Sequence, residues 1–144
     1  MYPFVVSKND GYSVSENDIA AIEERFEVKF PQALKDYYVQ YNCADISLCG
    51  YFKGTELYEV DVIYPIKYKY PQYIPLLETL LERDRRDGYI SCSMIPFAAD
   101  QSEGCYYCNR DEQVFLILSY DIDNPILVCD KVSEFINGLK RIEH

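Results

Sequence analysis

Gly104-Cys-Tyr-Tyr-Cys-Asn109, Gln113-Val-Phe-Leu-Ile-Leu-Ser119 and Ile126-Leu-Val-Cys129 are three short β-rich runs separated by turn residues, and Tyr89 to Phe97 precedes them as a fourth. Runs of this length, rich in β-branched and aromatic residues and joined by short polar turns, pair with their neighbours in antiparallel fashion. Upstream, Tyr58, Val60, Val62 and Tyr64 alternate with Glu59 and Asp61. That is the period of a strand with one wet face, so Leu57 to Tyr64 is expected as a strand. A strand near Ile46 to Phe52 pairs with it through Lys53-Gly54-Thr55.

Helical periods flank these strands. Ile19, Ile22 and Phe26 recur on one face behind Ser15, a residue suited to cap the amide of Asp18, and predict a helix over 16–27. Pro31 opens a second helix to Tyr41 with the stripe Leu34, Tyr37, Tyr38 and Tyr41. Ile74, Leu77, Leu80 and Leu81 predict a third over 75–86, closed by Gly88. Val132, Phe135, Ile136, Leu139 and Ile142 predict a last helix over 131–142, capped by Asp130 and carrying Lys140 and Arg141 in its final turn. Two helices, a strand pair, a helix, a meander and a helix define an α+β fold, with helices packed on one mainly antiparallel sheet of five or six strands. The 144 residues, 49% apolar, suit a single domain spanning 1–144.

Composition excludes several functions. The net charge is −10, and acidic residues dominate on both sides of a near-neutral segment at 65–87. A field of that sign repels phosphate backbones and attracts basic proteins, so nucleic acid is not an expected partner. No run approaches the roughly 20 apolar residues that cross a bilayer, and the first residues lack the basic start of a secretory leader. No membrane partner and a cytoplasmic location are expected.

The one histidine is the terminal His144, an unsuitable base for a Ser-His-Asp triad, a Cys-His pair or a metal cage. Gly50 and Gly54 fit no phosphate-binding glycine pattern. The carboxylates of Asp121-Ile-Asp123 run into Asn124-Pro125, which is turn chemistry rather than a catalytic pair. The alternative of a small metal-binding or enzymatic domain rests on Cys43, Cys49, Cys105 and Cys108 as zinc ligands. In a strand, residues three apart point to opposite faces, so Cys105 and Cys108 cannot share one ion. All six thiols are expected free, with no cofactor and no catalytic residue.

Fifteen tyrosines without tryptophan suit both a core and an interface. Tyr68, Tyr70 and Tyr73 lie in Tyr64-Pro-Ile-Lys-Tyr-Lys-Tyr-Pro-Gln-Tyr-Ile-Pro75, a proline-broken loop without a core face of its own. With Asp100, Glu103, Asp121 and Asp123 in polar turns, they form the expected partner-binding set. Arg83, Arg85 and Arg86, interleaved with Asp84 and Asp87, read as a solvated helix end.

Ser15-Glu-Asn-Asp-Ile19 with Ile22-Glu-Glu-Arg-Phe26, Phe30-Pro31 and Leu34-Lys-Asp-Tyr-Tyr38 resembles the opening of the SUKH superfamily, which includes fungal cell-wall and glucan-synthesis regulators. Ile95-Pro-Phe-Ala98 with Asp100, Gly104 and Tyr106-Tyr-Cys-Asn109 is a second match, and Val132-Ser-Glu-Phe-Ile136 with Gly138-Leu139 a third, in the right order. Asn42-Cys43-Ala44-Asp45 stands where the family often has a glycine turn, and the tyrosine and proline segment has no counterpart. The resemblance implies helices around an antiparallel sheet and no catalytic constellation. It implies an immunity or antitoxin protein that binds and neutralises a toxin, or alternatively a regulatory adaptor of cell-wall or glucan synthesis.

Overall fold

The computed structural model describes residues 2–100 and 104–142. After strand β1 (Val5–Ser7) and a 3-10 turn (Asp10–Tyr12) come helices α1 (Glu16–Phe26) and α2 (Gln32–Tyr41). Strands β2 (Asp45–Ile46), β3 (Cys49–Lys53), β4 (Glu56–Val60) and β5 (Val62–Ile63) lead to helix α3 (Leu77–Asp87). Strands β6 (Ile95–Ala99), β7 (Gly104–Cys108), β8 (Val114–Leu118) and β9 (Ile126–Cys129), helix α4 (Val132–Gly138) and strand β10 (Lys140–Arg141) complete the chain. The expected antiparallel sheet is five-stranded, in the order β5-β6-β7-β8-β9; β10-β3-β4 and β1-β2 form two smaller sheets.

The helices start and stop for local reasons. At α1 the Ser15 hydroxyl accepts from the Asp18 amide (3.3 Å) while the Asp18 carboxylate accepts from the Ser15 amide (2.8 Å). Two donors that the helix leaves unpaired are thereby satisfied. Ile19, Ile22 and Phe26 of α1, Leu34, Tyr37, Tyr38 and Tyr41 of α2, and Val132, Phe135 and Ile136 of α4 enter one core cluster. Tyr106 and Cys108 of β7, Val114 and Leu116 of β8, and Val128 of β9 meet them from the sheet.

Five sequence expectations need correction. The last helix stops at Gly138, where a Cβ would lie 3.0 Å from the Tyr51 ring, and the chain turns into β10, pairing Lys140 with Gly50 and Arg141 with Cys49. Lys131, not Asp130, holds the cap position, with no side-chain cap bond. The strand expected over Tyr89 to Phe97 forms only as Ile95–Ala99, because a turn closes at Ser91, whose carbonyl accepts from the Met94 amide (3.1 Å). The strands expected over Ile46 to Phe52 and Leu57 to Tyr64 each divide between two sheets. The second divides at Asp61, whose amide leaves β3 and donates to Ala99 O (3.0 Å).

One buried side chain fixes the irregular middle. Asn42, 4% exposed at the end of α2, donates to the carbonyls of Tyr12 and Ile66 (both 2.9 Å) and accepts from the Ile66 amide (3.0 Å). Cys43 follows at φ 61°, the left-handed conformation in which glycine carries no penalty. Its side chain is buried, with the sulfur 3.3 Å from Tyr68 O, so the position trades backbone comfort for packing.

Asn42→Ala orphans backbone groups that are worth about 1–3 kcal/mol each when buried and unpaired. Urea denaturation should place this variant at least that far below the parent. Asn42→Asp, which keeps the shape but loses both amide donors, should be no better. A variant as stable as the parent contradicts the clamp.

Candidate functional site

The core-facing residues of β7 alternate with Cys105 and Tyr107, which face the other side of the large sheet. There α3 covers the sheet incompletely. A cavity of about 380 Å³ remains, with Tyr107, Cys105, Ala99 and Ile117 as its buried or half-buried floor and Asp87, Tyr89, Asp100 and Ser119 around its mouth.

Asp84 organises the wall. Leu77, Leu80 and Leu81 of α3 are buried, and Asp84, one turn on, continues their stripe at 6% exposure. Tyr107 donates its hydroxyl to one carboxylate oxygen (2.9 Å), and the Arg83 guanidinium donates to the other through Nε (3.1 Å) and Nη2 (2.9 Å). Nη2 also donates to the Tyr107 hydroxyl (3.2 Å). A buried carboxylate persists because its partners replace water. Burial pushes the Tyr107 hydroxyl well above its ordinary pKa, with the charges of Cys105 and Asp84 adding to the shift. Burial pushes the Cys105 thiol up to about 12, so it is no ready nucleophile.

Across the mouth, Asp100 accepts the Gly104 amide (3.0 Å) and so pins the start of β7 to the end of β6. A Cβ at Gly104 would lie 2.7 Å from Leu116 Cδ1 and 2.8 Å from Asp100 Oδ2, which accounts for glycine at this position.

The expected partner-binding residues separate into two groups. Asp100 lines the cavity, and Ile122, which also lines it, lies between the exposed Asp121 and Asp123 in the turn from β8 to β9. Glu103 lies outside the described residues. Tyr68 and Tyr70 are half-buried against Tyr12, at centroid distances of 5.8 and 4.6 Å, whereas Tyr73 is 84% exposed. Tyr70 and Tyr73 border a smaller hollow of about 110 Å³ with Asp45 and Asp61. Asp61 has one buried carboxylate oxygen with no hydrogen-bond partner among the described residues. Desolvation raises its pKa against the opposing bond from its own amide, and Asp100 and Glu59 add to the rise.

Arg83, Asp84 and Tyr107 were not among the expected site residues. Their signals are an acid on the apolar stripe of α3 and a strand, β7, apolar on both faces.

All six cysteines are free, and Cys105 and Cys108 face opposite sides of β7 as the alternation argument requires. Among the described residues no cluster of three or more His, Cys, Asp or Glu side chains is placed to hold a metal ion, and no helix is long and apolar enough to cross a membrane.

Helices packed around a five-stranded antiparallel sheet, with a cavity left on the outer face of that sheet, define an α+β domain. The model of the SMI1 / KNR4 family (SUKH-1) matches residues 13–138, and the chain belongs to that family. No curated protein matches it.

Tyr107→Phe should cost about 1–3 kcal/mol, because it leaves a buried Asp84 oxygen without its donor. Combined with Asp84→Asn it should cost less than the sum of the two single changes, as a double-mutant cycle by urea denaturation would read. Additivity would separate the two residues. Asp61→Asn should raise stability at neutral pH. The folded-state pKa of Asp61 is raised, so the native state holds its proton longer than the unfolded chain does. Stability therefore falls as pH rises from the usual carboxylate range through the raised value. The variant lacks that fall, so its melting temperature should exceed the parent's at neutral pH and converge with it in acid.

Proposed function

We propose that the protein is an immunity-type member of its family: a non-catalytic, cytoplasmic domain that binds a basic protein toxin and neutralises it by occupying its surface. The family membership of residues 13–138 supports a protein-interaction role, and the net charge of −10 is the observation that carries the choice of a basic partner. An acidic field draws in a cationic protein and raises its on-rate without requiring any particular contact.

The contact surface is proposed to run from the exposed Asp121 and Asp123 to Asp100, which lines the cavity, and to include Glu103. Tyr73 is the exposed ring of the proline-broken loop that Tyr68 and Tyr70 hold against Tyr12. Rim acids act on encounter, and a ring that becomes buried acts on residence time.

The test captures partners from the source cell, measures association at two ionic strengths, and asks whether co-expression protects a cell from the captured protein. Neutralising Asp100, Glu103, Asp121 and Asp123 together should slow association and flatten its salt dependence. Tyr73→Ala should leave the on-rate unchanged and speed dissociation. An acidic partner, or an on-rate indifferent to salt, overturns the electrostatic part. A captured protein that is not toxic, or turnover of a substrate, overturns the immunity role.

A further inference from the structure

We propose that the segment 71–75 is a proton-sensitive flap over Asp61, closed while that carboxylate is protonated and lifted as it ionises. The flap goes beyond the protein-binding reading and does not depend on it.

The segment is tied at its two ends and loose between them. Before it, Asn42 holds the Ile66 amide and carbonyl, the Lys67 amide donates to Glu78 (2.8 Å), and the Tyr70 ring stacks on Tyr12 at 4.6 Å. After it, the Leu77 amide donates to Pro65 O (2.9 Å) as α3 begins. Between these anchors the one backbone bond among the described residues runs from the Ile74 amide to Pro71 O (3.1 Å), inside the segment itself. Pro71 and Pro75 have no N–H with which to reach another element. Tyr73 is 84% exposed, so its ring adds little to the hold. A stretch held by so few bonds opens locally while the rest of the fold stays closed.

Asp61 stands beneath this stretch. Tyr70, Pro71, Tyr73 and Ile74 wall one side of the hollow of about 110 Å³, and β2 with Asp61 and β5 wall the other. One Asp61 carboxylate oxygen is closed off from solvent and accepts no hydrogen bond from the described residues. Among the described residues that line the hollow none is cationic; Asp45 lines it too, and Glu59 of β4 and Asp100 of β6 add like charge. The other titratable groups facing Asp61 or the hollow are the Cys43 and Cys49 thiols and the Tyr64 hydroxyl, all pushed up by burial and so neutral, and the phenols of Tyr70 and Tyr73 on the flap side.

An ionised carboxylate without water or a partner is costly, and lifting the segment lets water reach it. The closed form therefore binds the Asp61 proton more tightly than the open form. Closure is strongest in acid and weakens as pH rises from the usual carboxylate range through the raised value of the closed form. Glu78 supplies the contrast. It also has a buried oxygen without a partner among the described residues, and burial raises its pKa, but its other oxygen holds the Lys67 amide next to the residue that Asn42 clamps. Its ionisation has no loose stretch to lift.

The experiment follows amide exchange of the isotopically labelled full chain by NMR from the carboxylate range to neutral pH, with each rate divided by the unfolded-chain rate at the same pH. Protection of the Ile74 amide should fall over that range in the parent, while the Ile66 amide stays far better protected throughout. Asp61→Asn should abolish the fall, and Glu78→Gln should leave it in place. A second readout needs no protection at Ile74: Cys43, which lines the hollow and is 7% exposed, should react with a maleimide more slowly in Asp61→Asn than in the parent at neutral pH, as peptide mass spectrometry would show. Equal Cys43 labelling in the two proteins, with no fall at Ile74 that Asp61→Asn removes, overturns the flap. Equal protection of Ile74 and Ile66 overturns it as well, since the opening would then be global, and so does loss of the fall in Glu78→Gln. A flap that responds as expected in a chain that captures no basic protein would stand, and only the partner reading would go.

Discussion

Phe135 is where the two larger sheets meet. Its ring centroid lies 5.3 Å from that of Tyr51 on β3, 5.9 Å from Phe97 on β6 and 5.3 Å from Tyr106 on β7. A short helix, α4, thus drives one fully buried ring between the three-stranded and five-stranded sheets. Each aromatic pair adds about 0.5–1.5 kcal/mol beyond the area it buries. Polar contacts close the same seam: Tyr106 donates to Glu59 O (2.7 Å), and the Cys129 thiol lies 3.3 Å from the Tyr51 hydroxyl. Because Phe135 and the Tyr51 ring fill the space, the helix must end at Gly138, and the chain leaves as a strand along β3.

The cavity follows from how the helices are distributed. All four helices send side chains to the inner cluster, α3 through Leu77 and Leu81, but among the helices only α3 also lines the outer face of β7, with Arg83, Asp84 and Asp87. One helix cannot cover five strands. Its last turn therefore brings a carboxylate, rather than another leucine, against Tyr107, at the boundary between buried sheet and solvent. Asp84 is stable there only with Arg83 and Tyr107 together, since a buried charge stripped of its partners costs several kcal/mol. The wall of the cavity and the end of the helix are the same interaction.

What could be read from the chain followed from residues whose neighbours lie close in sequence. The stripes of α1 and α2, the Ser15 cap and the alternation in β7 depend on periodicity and appear in the structure as expected. What could not be read depends on distant partners. The alternation from Tyr58 to Tyr64 continues unbroken while the strand exchanges β3 for β6 at Asp61, because a pleat carries no label for the strand beside it. Leu139 and Ile142 keep a helical period although the helix has already stopped, since Leu139 reaches the core from an extended backbone. Asp84 and Asp87 look alike in sequence, three apart among arginines. Only the position of Tyr107 buries the first and leaves the second at the surface.

That contrast carries through to function. Acidic residues in this chain are of two physical kinds, those whose charge is matched inside the fold and those left to act on what approaches. Asp18 and Asp84 belong to the first kind: their carboxylates hold a helix cap and a sheet contact and are not free to meet a partner. Asp121 and Asp123 belong to the second, in an exposed turn whose central residue, Ile122, lines the cavity. Long-range attraction depends on the total charge and is insensitive to this division, but recognition at contact is not.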